Sequence, residues 1–164
     1  MNMMNKRILT TTLFVAGFLM LSSFAMAFNI PFFGGDSRFT ELQPKNGTVS
    51  IPVATISDGK AHYFKVKADD GIMVYFFTLK SGDGVIRAAI DACDVCYKAG
   101  KGYVQDGDYM ICENCGQRFA SNKINVVKGG CNPAPLNRVV QGANLVISMK
   151  DITANSWYCK FKKQ

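Results

Sequence analysis

Between residues 48 and 90 the apolar and polar positions fall into short runs broken by turn residues. Thr48 to Val53 reads as a short strand. His62-Tyr63-Phe64-Lys65-Val66-Lys67 is β-rich with partial alternation, Ile72 to Leu79 is almost wholly apolar or aromatic, and Val85 to Ile90 follows. Asp69-Asp70-Gly71 and Ser81-Gly82-Asp83-Gly84 separate these runs. A D-G pair between β-rich segments signals a hairpin, because both residues tolerate the positive φ that tight turns demand. Further on, Arg138-Val139-Val140 and Leu145 to Met149 flank Gln141-Gly142-Ala143-Asn144 as another hairpin. No window sustains a 3.6-residue period, and Ala120 to Asn125 has room for one helical turn. Strands at this spacing with Gly-rich turns predict an all-β fold, a small sandwich or barrel.

The N-terminus has a different pattern. Lys6 and Arg7 are the only charges before Asp36, an uncharged run extends from Ile8 to Phe24, and Ala25-Met26-Ala27 follows. A basic start, an apolar middle and an A-x-A ending constitute a secretory signal peptide, with an uncleaved membrane anchor as the alternative. Residues 1–27 are therefore the export segment, and the expected location is extracytoplasmic: periplasmic, or on the outer face of the inner membrane. Residues 28–47, rich in Gly, Pro, Asn and Ser, read as a linker, and 48–164 as the folded domain.

Removing the export segment lowers the net charge from +7 to +5, which mildly favours acidic partners or an anionic surface. No Lys/Arg block interleaved with aromatics builds a nucleic-acid face. The chain has one histidine, His62, so multi-His metal sites are excluded and any Ser-His or Cys-His mechanism would have to run through it. No nucleophile–base pair is evident, and neither enzyme activity nor a small-molecule substrate is expected.

The chemistry lies in six cysteines. Cys93-Asp94-Val95-Cys96 and Cys112-Glu113-Asn114-Cys115 are C-x-x-C units separated by 15 residues. The short spacer lets both sulfurs of a pair point at one ion, and two such loops brought together supply four thiolates. Four soft thiolates suit zinc, a single iron or an iron–sulfur cluster, and spacing alone does not choose among them. Paired disulfides are the competing reading in an oxidising compartment. Cys131, in Gly129-Gly130-Cys131-Asn132-Pro133-Ala134-Pro135-Leu136, is a candidate fifth ligand, with a Cys131–Cys159 disulfide as the alternative. Cys159, beside Trp157 and Tyr158, is read as a bystander.

The stretch from Asp83 to Cys96, with Asp83-Gly84-Val85-Ile86-Arg87-Ala88-Ala89-Ile90-Asp91-Ala92 ahead of the first pair, resembles the FtrD-like membrane iron–sulfur protein family. So do Gly107-Asp108-Tyr109-Met110-Ile111-Cys112-Glu113-Asn114-Cys115-Gly116 and the Gly129 to Leu136 loop, and the likeness runs from about Val49 to Asp151. The layout is also similar to a Rieske domain. Two cluster-binding hairpin loops are followed by a Gly-Pro loop and a final hairpin, and Gly116-Gln117-Arg118-Phe119 follows the second pair as a G-x-x-F stretch does there. Cys replaces both Rieske His ligands, which adds negative charge and lowers the expected potential.

The resemblance implies a Rieske-like β-sandwich or barrel that carries single electrons on an iron–sulfur cluster held by Cys93, Cys96, Cys112 and Cys115. Its implied partner is a membrane redox or iron-transport protein; a permease role is not expected. Zinc or mononuclear iron is the alternative, because Lys6-Arg7 is not the twin-arginine signal that cargo folded around a cluster normally needs. A thiol–disulfide protein is a further alternative. Asp91, Asp94 and Glu113 read as solvating the ligand loops, Tyr103, Tyr109 and Phe119 as shielding or core, and Met73, Met110 and Met149 as packing inside strands.

Overall fold

A computed structural model describes residues 38–162. The export segment, the cleavage site after Ala27 and the first part of the expected linker lie outside the described residues. Among the described residues ten strands form three sheets with little helix, so the fold is all-β.

The first sheet runs in the order β1 (Phe39–Glu41), β3 (His62–Lys67), β4 (Met73–Lys80), β5 (Ile86–Ile90). β3, β4 and β5 are antiparallel neighbours joined by the turns at Asp69-Asp70-Gly71 and Ser81 to Gly84, as the D-G pairs predict. β1 was expected as linker. It pairs in parallel with β3, Phe39 opposite Tyr63, and the Phe39 ring is buried edge-on against Tyr63 and Tyr75. Three residues suffice for this strand because burial of Phe39 supplies what its length does not.

The second sheet is β2 (Thr48–Pro52), β10 (Asn144–Ser148) and β9 (Val139–Gln141). Here the alternation is clean: Val49 and Ile51 from β2 and Leu145 and Ile147 from β10 point inwards. They meet Phe64 and Val66 of β3, Val74 and Phe76 of β4, and Ala88 and Ile90 of β5, which makes the larger core. A short helix, α1 (Met149–Ala154), closes it with Ile152. Met149, expected as the end of a strand, is instead the first residue of that helix. Ser148 terminates β10 by accepting a hydrogen bond from the Lys150 N–H as an N-cap.

β4 is buried on both faces from Val74 to Leu79. Phe77 and Leu79 point away from the larger core and begin a second one with Ala89, Tyr103, Met110, Ile124, Cys93 and Cys112. The third sheet closes over it: β6 (Tyr103–Asp106), β7 (Tyr109–Cys112) and β8 (Arg118–Ala120). A β-hairpin turning on Asp106-Gly107-Asp108 thus leads straight into the second cysteine pair.

Candidate metal centre

The thiols reach the site on three loops. Asp91, Ala92 and Cys93 follow β5 directly, and the chain turns there, with the Tyr97 N–H on the Cys93 carbonyl (3.1 Å) and the Cys96 N–H on the Cys93 Sγ (3.2 Å). The second loop leaves β7 at Cys112 and returns through Gly116, whose N–H donates to the Cys112 carbonyl (2.8 Å). Backbone N–H groups of Asn114 and Cys115 turn towards the Cys112 sulfur, and the Gln117 N–H turns towards that of Cys115. Both loops therefore present N–H groups to sulfur, the arrangement that stabilises thiolate.

The third loop carries Cys131 and is pinned to the strand that carries Cys93. The Ile90 N–H donates to the Ala134 carbonyl (2.8 Å), the Ala134 N–H to the Ala92 carbonyl (2.9 Å) and the Leu136 N–H to the Ala88 carbonyl (3.1 Å). From the other side the buried Tyr103 hydroxyl donates to the Cys131 carbonyl at 2.6 Å. Tyr103, expected as shield or core, fills both roles. Phe119 packs edge-on against it, whereas Tyr109 is largely exposed under the Arg118 guanidinium.

Five sulfurs converge as a result. Those of Cys93, Cys96 and Cys112 lie within 4.8 Å of one another, and so do those of Cys96, Cys115 and Cys131. Cys93 and Cys112 are buried, Cys96 and Cys131 half-buried, and Cys115 exposed. The grouping differs from the one that spacing suggests: Cys112 falls with the first pair, and Cys115 with Cys96 and Cys131. All six cysteines are free thiols. Cys159 stands apart in the larger core, where its sulfur accepts from the Tyr75 N–H (3.4 Å) and burial pushes its thiol up to about 11. His62 belongs to neither sulfur group and pairs with Asp58 at 2.8 Å.

The donor set fits a soft metal. Burial, reinforced by neighbouring sulfurs, pushes the thiols of Cys112 and Cys131 up to about 12. The Gln117 N–H instead lowers the Cys115 thiol, and a metal ion takes the place of the protons that Cys112 and Cys131 hold.

A polar girdle fixes the loops from behind. Asp91, expected to solvate the loop, is instead almost wholly buried; burial pushes its carboxyl up, and Lys162 and Arg38 oppose that shift. It accepts from the Tyr103 N–H (2.8 Å) and pairs with Lys162. Gly102, at φ +85°, lies so close that an added Cβ would fall 2.2 Å from an Asp91 oxygen, so only glycine fits there. Arg38 bonds the Tyr103 carbonyl and pairs with Glu113 (3.1 Å), next to Cys112. Asp94 accepts from the Tyr158 hydroxyl. Asn114 donates to the Cys96 sulfur at 3.3 Å. Sequence reasoning passed over Arg38, Gly102 and Asn114, because each acts through a partner distant in the chain.

The family model described as "Membrane iron-sulfur containing protein FtrD-like" matches residues 56–158, well over half of the chain. The chain belongs to this FtrD-like family. That match covers both cysteine pairs, the Gly-Pro loop and the closing hairpin. No curated protein matches this FtrD-like chain. Among solved structures, the quaternary ammonium Rieske monooxygenase CntA in complex with an inhibitor is similar, with 13% identity and a TM-score of 0.42. The likeness covers 61% of this chain and 30% of that one. Among the described residues no helix is long and apolar enough to cross a membrane.

Proposed function

We propose that this FtrD-like chain is an exported metal–thiolate protein that carries single electrons on an iron–sulfur centre, in the service of a membrane redox or iron-uptake system. The observation that carries the reading is the convergence of five cysteine sulfurs from three separately anchored loops, in a chain of an iron–sulfur family. Cys93, Cys96, Cys112 and Cys115 hold the metal. Iron bound there supplies a one-electron couple, and its all-thiolate environment lowers the potential.

The chain's own residues do the rest. Tyr103, Phe119, Met110 and Phe77 keep water from the inner sulfurs, while N–H groups of Cys96, Asn114 and the second loop offset the charge on the thiolates. The outer end, with exposed Cys115 and Val95, is the side from which a redox partner approaches. A cleft of about 430 Å³ is lined by Arg38, Lys98, Lys101 and Lys162; with Arg38 paired to Glu113 and Lys162 to Asp91, the ammonium groups of Lys98 and Lys101 favour an acidic surface on that partner. The apolar segment Ile8 to Phe24 and Ala25-Met26-Ala27 support an extracytoplasmic location. In this reading the chain is not an enzyme.

A second reading has one observation in its favour. Two of the buried members of the smaller core are Cys93 and Cys112, so zinc there would act as a structural clip in place of apolar packing. Metal and acid-labile sulfide analysis with a visible spectrum, on natively exported protein purified without oxygen, separates the two. Iron, sulfide and a visible band that bleaches on reduction are expected. Colourless protein with bound zinc would replace electron transfer by the clip.

A further inference from the structure

The two sulfur groups share one member. Cys93, Cys96 and Cys112 form an inner triad, and Cys96, Cys115 and Cys131 an outer one, each with all sulfurs within 4.8 Å of one another. Two sulfurs on one tetrahedral ion at ~2.3 Å from each lie ~3.8 Å apart. Each triad therefore needs only a small contraction to close on a single ion. Neither triad consists of one C-x-x-C pair and a stray residue from its own loop: the inner takes Cys112 across from the second loop, and the outer takes Cys115 and Cys131 from two loops to meet Cys96.

We infer that Cys131 is a metal ligand and that the centre takes two metal ions, an inner one on Cys93 and Cys112 and an outer one on Cys115 and Cys131, with the Cys96 sulfur shared between them. This rests on the metal–thiolate reading above and adds a fifth ligand and a second ion to it. The position of Cys131 is built into the fold. Its loop is laddered to residues 88–92, the strand end that delivers Cys93, and its carbonyl is held by the Tyr103 hydroxyl. The Asn132 side chain ties the loop on itself through the Gly129 carbonyl (2.9 Å). The shared sulfur is the one that receives a side-chain donor from the opposite loop, Asn114. The two ions differ in access. The inner has two buried ligands, while the outer has one exposed and one half-buried ligand besides Cys96, so the outer ion exchanges with solvent first.

The test uses the full chain, stripped with a chelator under reducing, oxygen-free conditions and titrated with Zn(II), with ions per chain counted by native mass spectrometry. Two ions per chain with unequal affinities are expected, and Cys131→Ser should fall from two to one by losing the weaker. Equal ion numbers and affinities in Cys131→Ser and the parent would overturn the inference. One ion in both would overturn it too while leaving the metal–thiolate reading intact; no ion in the parent would remove both. A measurement on the parent guards against a variant that fails to fold. Iodoacetamide, left long enough for a thiol that holds its proton to react, should label Cys131 in the stripped protein and spare it over the same time once two ions are bound. Equal labelling in both forms would show that Cys131 is not a ligand.

Discussion

The two faces of the β4–β5 hairpin are stabilised by different means. On one side Phe76, Val74 and Ile90 meet Ile51, Leu145 and Ile147 in a core of ordinary apolar packing that engages two sheets and a helix. On the other side Phe77, Leu79 and Ala89 meet a three-stranded sheet of short strands, in a core whose buried members include two thiols. The first side is packed by apolar side chains from two sheets and a helix, whereas the second also relies on Asp91, Arg38, the Tyr103 hydroxyl and whatever ion its sulfurs hold. Small sheets with little core need such staples. The fold thus combines a rigid platform with a region whose order is coupled to metal.

The largest expected effect follows from that difference. Removing the metal, or replacing Cys112 with Ser, should abolish metal binding at the inner triad and unfold the region from Cys93 to Ala120, because binding energy at a thiolate site is folding energy. Hydrogen exchange checks it. Amide protection in β6, β7 and β8 should collapse while that in β3, β4 and β10 persists. Loss of protection everywhere would mean that the two regions are one cooperative unit.

Next in size is a pair of adjacent truncations that divides the faces. Phe76→Ala and Phe77→Ala should each cost about 3–5 kcal/mol, the range for a buried ring exchanged for a cavity. Only Phe77→Ala should also loosen metal binding, since its ring packs against Tyr103, which holds the Cys131 loop. Denaturant titration combined with ion counting reads both quantities. Equal metal affinity in the two variants would remove the distinction.

Asp91 comes third. Asp91→Asn keeps an acceptor for the Tyr103 N–H but leaves Lys162 without its buried counter-charge, and breaking such a pair costs about 3 kcal/mol. The loss should show in the denaturation midpoint, with Lys162→Met in the same background restoring part of it. A double variant no better than the single one would place the role of Asp91 elsewhere.

Legibility followed the length of the interaction along the chain. β3, β4, β5, β9 and β10 were readable because alternation, apolar runs and D-G turns are local signals. Asp106-Gly107 is the same kind of signal for β6 and β7, but strands of four residues are too short for alternation to stand out in the sequence. β1 was hidden because Phe-Thr-Glu has no pattern of its own; its stability comes from Tyr63 and Tyr75. α1 was announced by Ser148 three residues ahead of Asp151, a capping signature masked by the strand that runs into it. The C-x-x-C pairs were the plainest feature of the site. How their sulfurs group was not, because the grouping depends on a loop anchored through Tyr103 and on Asp91, whose partner Lys162 lies 71 positions away.

The smallest effect concerns the hairpin that both regions share. Thr78 lies on β4 between His62 and Ala88 and is fully buried, and by strand alternation it shares the face of Phe76. Among the described residues its hydroxyl has no hydrogen-bond partner. A buried orphan hydroxyl costs free energy that a methyl group of the same shape does not, so Thr78→Val should stabilise the protein by about 1 kcal/mol. Because the change lies on the platform side, the gain should appear as a higher denaturation midpoint with the metal bound or removed. A gain confined to the metal-bound form would tie Thr78 to the sulfur side of the hairpin and make the platform less independent than its packing implies.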